Sequence, residues 1–213
     1  MKNAFIGCLA SLFALNAVAG DAPQTYKHAV KPSSGGWAWH LYAESVSLDS
    51  EQAASQRIKD SAVAIGAGAE YYIADTTQAV RFGFAFMQYS DLGEFSVLTE
   101  QQGGFNDGEI DNKSSDANGM QLYVDYGIQN RFGANNGGFY TVRGGYALMF
   151  GSERAIASCT NCPSQDIDIE SGLYGLVGVG FNATPAFSLG LNYKQYFSGD
   201  VENALQLELR WAY

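Results

Sequence analysis

The chain has 213 residues, with 22 acidic residues against 12 basic ones and a formal net charge of −10. This acidic balance excludes a protein that binds the phosphate backbone of nucleic acids. Glycine (25) and the aromatics Phe and Tyr (13 each) are abundant, proline (4) is scarce and only 16% of residues are charged, a composition typical of strands that span a membrane.

The N-terminus has the pattern of a secretory signal peptide. A lysine precedes a short apolar run over Ala4–Leu15, and the small residues Ala17–Ala19 form an A-x-A cleavage site. No run in the remaining chain is long enough to cross a bilayer as a helix, so a membrane-spanning mature chain would have to be a closed barrel. The sequence therefore predicts a signal peptide at 1–19, a flexible periplasmic tether at 20–36 and a β-barrel at 37–213.

Eight segments of the mature chain alternate apolar and polar residues. This period of two places successive side chains on opposite faces of a strand. Each segment has the length of a tilted membrane-spanning strand. The predicted strands are 37–48, 62–74, 79–90, 119–130, 139–150, 172–182, 186–197 and 203–213.

The connections between these strands alternate between short and long. The short ones are 75–78, 131–138 and 183–185, and the others are 49–61, 91–118, 151–171 and the smaller 198–202. Outer-membrane barrels have short periplasmic turns and longer outer loops, so an even strand count places both termini in the periplasm. The pattern predicts an all-β fold, an eight-stranded antiparallel up-and-down transmembrane β-barrel. A soluble barrel with an apolar interior shows the same alternation.

The last strand and the aromatic residues favour the membrane over the soluble barrel. One face of the last strand is fully apolar, and it resembles the carboxy-terminal sorting signal of bacterial outer-membrane barrels, which ends on an aromatic residue. That face carries Leu205, Leu207, Leu209, Trp211 and Tyr213. Many other aromatics fall near the turn ends of the strands, as in the girdles at membrane interfaces.

The opposite strand faces carry balanced charges that are expected to point into the lumen. They are Glu44, Glu70, Asp125 and Glu208 against Arg81, Arg143, Lys194 and Arg210. Side chains can fill a narrow eight-stranded barrel, and buried charges must be paired. These residues are therefore candidates for an ion-pair network that plugs the lumen, or for a gate in which an Arg exchanges carboxylate partners. Glycines on the inward face are expected to leave open space in the lumen, and this space is compatible with a channel.

From Trp37 to Tyr213 the chain resembles the small outer-membrane barrel group that includes the OmpA transmembrane domain, OmpX and the opacity-type proteins. The resemblance rests on strand count, alternating connection lengths, a charged lumen and the terminal Leu-x-Leu-x-Leu-x-Trp-x-Tyr pattern. It implies anchoring, adhesion, host-factor binding, envelope integrity or low conductance. It also implies an integral outer-membrane location and insertion by the barrel-assembly machinery.

Most of the acidic residues lie in the long connections. A negative outer surface attracts cations or basic partners. The segment 107–118 has only a superficial likeness to a calcium loop, because Asn112 and Asn118 stand where an EF-hand needs Gly and Glu. A solvated loop next to lipopolysaccharide and its bridging divalent ions is the favoured interpretation.

Cys159 and Cys162 are the two cysteines left after removal of the signal peptide. In an oxidising compartment they are expected to form a disulfide in the third long loop. A redox site would need a helix start, and a zinc site would need two further ligands.

The functional prediction is a non-enzymatic outer-membrane protein with a largely plugged lumen and acidic loops, acting in surface interaction or envelope integrity. A narrow low-conductance channel is the alternative, followed by a lipid-modifying enzyme. The expected partners are outer-membrane lipids, lipopolysaccharide, and an extracellular protein or cation at the loops. Neither a cofactor nor a metal is expected.

Overall fold

The computed structural model describes residues 36–92, 94–99, 109–133, 137–156, 164–184 and 186–212. The predicted signal peptide, nearly all of the tether, the two loop cysteines and Tyr213 lie outside the described residues, so those assignments stay predictions.

The described chain is almost entirely β-structure. The elements are β1 (Gly36–Leu48), α1 (Ser50–Ser55), β2 (Ile58–Tyr72), β3 (Gln78–Asp91), β4 (Glu94–Thr99), β5 (Glu109–Phe132), β6 (Gly138–Ile156), β7 (Ser164–Asp166), β8 (Gly172–Asn182), β9 (Phe187–Tyr196) and β10 (Val201–Ala212).

Eight of these strands form a closed antiparallel ring. The order is β1, β2, β3, β5, β6, β8, β9 and β10, and the ring closes where β10 pairs with β1, with Trp39 opposite Trp211. The predicted eight-stranded antiparallel barrel is thereby confirmed. We call the end with the short connections the turn end, and the end with the long connections the loop end.

At the loop end, several strands run further than the sequence predicts. β2 begins at Ile58, β5 begins at Glu109 and β6 continues to Ile156, so the predicted starts at 62 and 119 and the predicted end at 150 are wrong. β4 pairs with the extension of β5, and β7 pairs with the extension of β6. The extension of β5 over 109–118 is mostly polar and has no regular alternation, with Ile110 and Ala117 as its only apolar residues, so a sequence pattern does not reveal it.

A short helix, α1, also lies in the first predicted loop. Asp49 caps it, because its carboxylate oxygen accepts hydrogen bonds from the backbone N–H groups of Glu51 (3.0 Å) and Gln52 (2.9 Å). The helix buries Ala53 against the barrel opening. The predicted connection 49–61 therefore contains an ordered helix and the first residues of β2.

The barrel carries its apolar residues on the outside. Ile65 is 68% exposed, Phe84 60% and Leu207 59%, whereas Arg81, Glu70 and Glu208 on the other face are at most 1% exposed. A soluble barrel has the opposite arrangement, because its apolar residues fill the interior. An apolar exterior over most of the strand length is that of a transmembrane β-barrel. In the described residues no helix has the length and apolar character needed to cross a bilayer.

Candidate functional site

Arg81 lies at the centre of the charged cluster in the lumen. Its Nε and Nη2 donate to Asp125 Oδ2 at 3.0 and 2.8 Å, and its Nη1 donates to Glu208 Oε2 at 2.5 Å. Tyr174 also donates its hydroxyl to Asp125 Oδ2 at 2.8 Å. Both carboxylates are neutralised in full burial, which a low-dielectric interior requires.

Two further arginines extend the network towards the turn end. Arg143 pairs with Glu70 and lies 3.5 Å from Asp125 Oδ1. Arg210 pairs with Glu70 at 3.1 Å and donates from Nε to Glu208 Oε1 at 3.0 Å. Every carboxylate in this cluster contacts two arginines, so the loss of one partner leaves each of them a second.

Lys194 and Glu44 form a separate pair nearer the loop end. Lys194 Nζ donates to Glu44 Oε2 at 2.6 Å. The ammonium group also lies 5.4 to 5.6 Å from the ring centroids of Tyr42, Tyr123 and Tyr174, within cation–π range. The three rings surround the ammonium group of Lys194, which is shielded from bulk water.

Two amides connect the pair to the arginine cluster. Asn192 Nδ2 donates to Gln206 Oε1 at 2.9 Å and to Glu208 Oε2 at 3.2 Å, and Gln206 Nε2 donates to Glu44 Oε2 at 3.3 Å. The structure thus brings all eight charged residues named from the sequence into one hydrogen-bonded series along the lumen.

The prediction that inward glycines leave open space in the lumen is wrong, because neighbouring side chains occupy that space. A Cβ built on Gly66 would lie 2.3 Å from Tyr42 Cζ, and one on Gly180 would lie 2.2 Å from Phe139 Cζ. The glycines let large rings from adjacent strands cross the barrel interior. Lumen volume that looks free in the sequence is taken up by these rings.

His40 is also fully buried, and its Nε2 is hydrogen bonded to the hydroxyl of Tyr123. It faces the lumen, away from the membrane-facing surface where an enzyme acting on lipids would need its base. Within the described part of the chain, no group of His, Cys, Asp and Glu is arranged to hold a metal ion.

At the loop end, Arg154 joins four segments in a way that the sequence does not reveal. Its Nε donates to both carboxylate oxygens of Asp91, at 2.8 and 2.9 Å. Its Nη2 donates to the backbone oxygens of Gln56 (2.7 Å) and Arg57 (3.0 Å), and its Nη1 to Gln165 Oε1 (3.2 Å). Arg154 lies in the predicted connection 151–171, and Asp91 lies in the predicted connection 91–118. Their separation along the chain gives no pairing signal.

An apolar cluster also lies at the loop end. Ile167 and Ile169 from the segment after β7 are 4% and 6% exposed, and they share one buried cluster with Ala53 of α1, Ile58 and Leu48. We call α1, the segment 167–169 and Arg154 together the cap.

Some residues counted as loop acids have structural roles. Asp49 caps α1, Asp91 binds Arg154, and Asp200 accepts the backbone N–H of Glu170 at 2.7 Å. Among the acids at this end whose side chains the structure describes, Glu51, Asp60 and Glu153 are exposed.

The fold and its inverted polarity define the class of protein as a transmembrane β-barrel with a charged interior. No protein-family model matches the chain, and no curated protein matches it.

Solved structures similar to the chain include outer-membrane proteins. One is Ail, the attachment invasion locus protein of Yersinia pestis, in complex with the heparin analogue sucrose octasulfate (16% identity, 84% of this chain and 99% of that one, TM-score 0.45). Others are Neisserial surface protein A (13%, 85% and 98%, TM-score 0.44) and the outer membrane protein OprG of Pseudomonas aeruginosa (13%, 89% and 96%, TM-score 0.39). They belong to the group of small outer-membrane barrels that the sequence resembles.

Proposed function

We propose that this protein is an integral outer-membrane barrel with a closed lumen, and that it acts through its loop end in surface interaction or envelope integrity. In this proposal both termini lie in the periplasm and the cap faces the outside. The observation that carries the proposal is the lumen series, in which four acids and four bases are paired while almost wholly shielded from solvent.

The energetics of the paired charges support a closed lumen. Moving an ion through the arginine cluster would require at least one pair to separate. Removing a partner from a buried pair costs about 3–5 kcal/mol. The cap and the rings of Tyr42 and Phe139 stand in the same path. A low-conductance channel, the alternative, would need rearrangement at both the cluster and the cap.

The exposed acids of the loop end, together with those in loop segments outside the described residues, support a cationic or basic partner. The heparin analogue bound to Ail is a polyanion. A chain with a net charge of −10 repels polyanions unless bases are concentrated at the site. We therefore propose a divalent cation or a basic extracellular protein as the partner, next to the surrounding lipopolysaccharide.

Single-channel recording of the refolded, signal-free barrel in a planar bilayer tests the closed lumen. Silence from the intact barrel, with folding checked by circular dichroism, is the expected result. The variant Arg154→Met controls for the cap, because it opens the loop end while leaving the arginine cluster intact, and it should also be silent. Discrete, voltage-stable current steps from the intact barrel would refute the closed lumen and support the low-conductance channel.

The site of action is tested separately in whole cells by deleting 100–108, which removes Glu100 and Asp107, and by the substitutions Glu51→Gln and Asp60→Asn at exposed acids. Loss of binding to a basic reporter protein or to calcium is expected, with the barrel still present in the outer membrane. If cells that carry all of these changes bind as wild-type cells do, the loop-end proposal fails.

A further inference from the structure

The outward face of the barrel changes character part-way along the strands. On β2, Ile65 and Val63 are exposed apolar residues, and the next outward residue towards the loop end is Ser61. On β3, Phe84 and Phe86 are followed by Gln88. Six of the eight barrel strands show this change at their first polar outward side chain. The six residues, which we call the polar collar, are Ser45, Ser61, Gln88, Asn118, Glu153 and Asn203.

The inward face changes in the opposite sense. Towards the turn end it carries the charged series, whereas towards the loop end it carries mainly apolar residues, together with the buried Arg154 that pairs with Asp91. Met87 on β3 is 0% exposed, Val201 on β10 is 3% exposed, and Ile58 on β2 is 2% exposed. These side chains pack with Ile167 and Ile169 of the cap.

On β1 both changes occur within four residues. The outward face passes from Ala43 to Ser45, and the inward face passes from Glu44 to Val46. The register places Ser45 opposite Val63 and Ser47 opposite Ser61, so the change on β2 lies one outward position nearer the loop end than the change on β1.

Because both faces of the sheet change polarity, and in opposite senses, the medium around the barrel is expected to change from hydrocarbon to water at this level. In hydrocarbon the outer face must be apolar, and the polar groups have to be inside. In water an apolar interior with a polar exterior is the stable arrangement. The strand sections beyond the collar are thus built like a soluble β-barrel, and those before it like a membrane barrel.

The length of the apolar section fits this boundary. From Tyr71 to the collar residue Ser61 on β2 the strand advances about 34 Å at the usual rise per residue. A tilt of about 45° makes this roughly 24 Å along the barrel axis, close to the apolar band of about 25 Å in outer-membrane barrels. The collar on β2 therefore begins close to where hydrocarbon ends.

We propose that the polar collar is a contact surface for the sugar hydroxyls of glycolipid headgroups in the outer leaflet, an inference that rests on the proposed outer-membrane location. Five of the six residues are uncharged amides or hydroxyls, which both donate and accept hydrogen bonds, as sugar hydroxyls do. The collar contains no Arg or Lys, the residues that recognise phosphate. Its chemistry matches the carbohydrate part of a headgroup and not the phosphate part.

Spin-label accessibility of the full barrel in vesicles tests the inference. Single cysteines replace Ser61 or Gln88 of the collar, or Val63 or Phe86 of the adjacent apolar section, in a background with both loop cysteines changed to serine. Collisions with oxygen report hydrocarbon, and collisions with a water-soluble nickel chelate report water. The vesicles are phosphatidylcholine alone, or with a digalactosyl lipid, or with phosphatidylglycerol.

Labels at 63 and 86 should collide with oxygen in all three vesicles, and labels at 61 and 88 with the nickel chelate in phosphatidylcholine. The galactolipid should reduce nickel collisions at 61 and 88 severalfold, whereas phosphatidylglycerol should leave them nearly unchanged.

If labels at 61 and 88 collide with oxygen rather than with the nickel chelate, these residues lie in hydrocarbon, and the proposed boundary at the polar collar is refuted. Equal nickel collisions in all vesicles would overturn the sugar contact, and protection by phosphatidylglycerol alone would replace it by phosphate recognition. If labels at 63 and 86 fail to meet oxygen, the membrane-spanning proposal fails as well, which separates the two failures.

Discussion

Replacing Arg81 by Met removes the charge that lies between Asp125 and Glu208 while keeping most of the side-chain volume. The guanidinium makes three hydrogen bonds of 2.5 to 3.0 Å and is 1% exposed. Breaking a buried pair by removing one partner costs about 3–5 kcal/mol. Because Glu208 keeps Arg210, and Asp125 keeps Arg143 and the hydroxyl of Tyr174, we expect one such cost and not two.

The measurement is the free energy of unfolding in urea, followed by tryptophan fluorescence of the barrel in lipid vesicles. The control is Arg57→Met, because Arg57 is exposed and should leave the free energy of unfolding nearly unchanged. A charge-balanced variant, Arg81→Met with Asp125→Asn, removes one acid with the base. It should be less destabilised than the sum of its two single variants, since residues in one network are not additive.

Two results would refute the reasoning. A loss for Arg81→Met no larger than that of Arg57→Met would mean that the lumen charges are solvated and unpaired in the membrane. Strict additivity in the double variant would mean that Arg81 and Asp125 do not share a network.

Four other changes have expected outcomes. Arg154→Met should raise the rate of amide hydrogen exchange in the cap and leave the rate in the membrane section unchanged, because the guanidinium joins four loop-end segments. An equal increase in the exchange rate in both parts of the barrel would contradict this. Leu207→Lys, at an exposed position in the membrane section, should destabilise the folded barrel by about 2–4 kcal/mol in vesicle unfolding. Gly178→Ala should lower stability or prevent folding, since its Cβ would lie 1.9 Å from the side-chain amide oxygen of Asn192, its paired residue on the adjacent strand β9. Wild-type stability would show that this part of the lumen is loosely filled. Alkylation of Cys159 and Cys162 should occur only after reduction, as read by the mass of the protein.

Much of the barrel could be predicted because alternate residues of a strand lie on opposite faces of the sheet. Leu207 and Leu209 fix one face of β10 as apolar, so Glu208 and Arg210 have to share the other face, and the structure has both buried. The predicted bounds of β8, 172–182, match those observed. Where a strand separates hydrocarbon from a polar interior, the sequence has to alternate, and the pattern is readable.

The loop end was not predictable in the same way. Beyond the hydrocarbon the outer face no longer has to be apolar, so the extension of β5 from Glu109 loses its alternation although its backbone pairing continues. The bond between Arg154 and Asp91 joins residues that are far apart in sequence, and composition assigned both to loops. The inward glycines misled for a related reason, because a strand pattern does not record which ring of the neighbouring strand crosses above them.

The pairing of β1 with β10 has a consequence for how the barrel is made. These strands are the first and the last of the ring, so β1 cannot pair with β10 until nearly all of the chain is available. Contacts between residues so far apart in sequence form slowly, because the chain loses loop-closure entropy before the contacts stabilise it. Until then both strands expose unpaired backbone groups, which hydrocarbon cannot satisfy. Insertion and closure must therefore be one coupled event, and a variant that weakens the register around Trp39 and Trp211 should accumulate as a soluble, protease-sensitive intermediate and not as a partly inserted barrel.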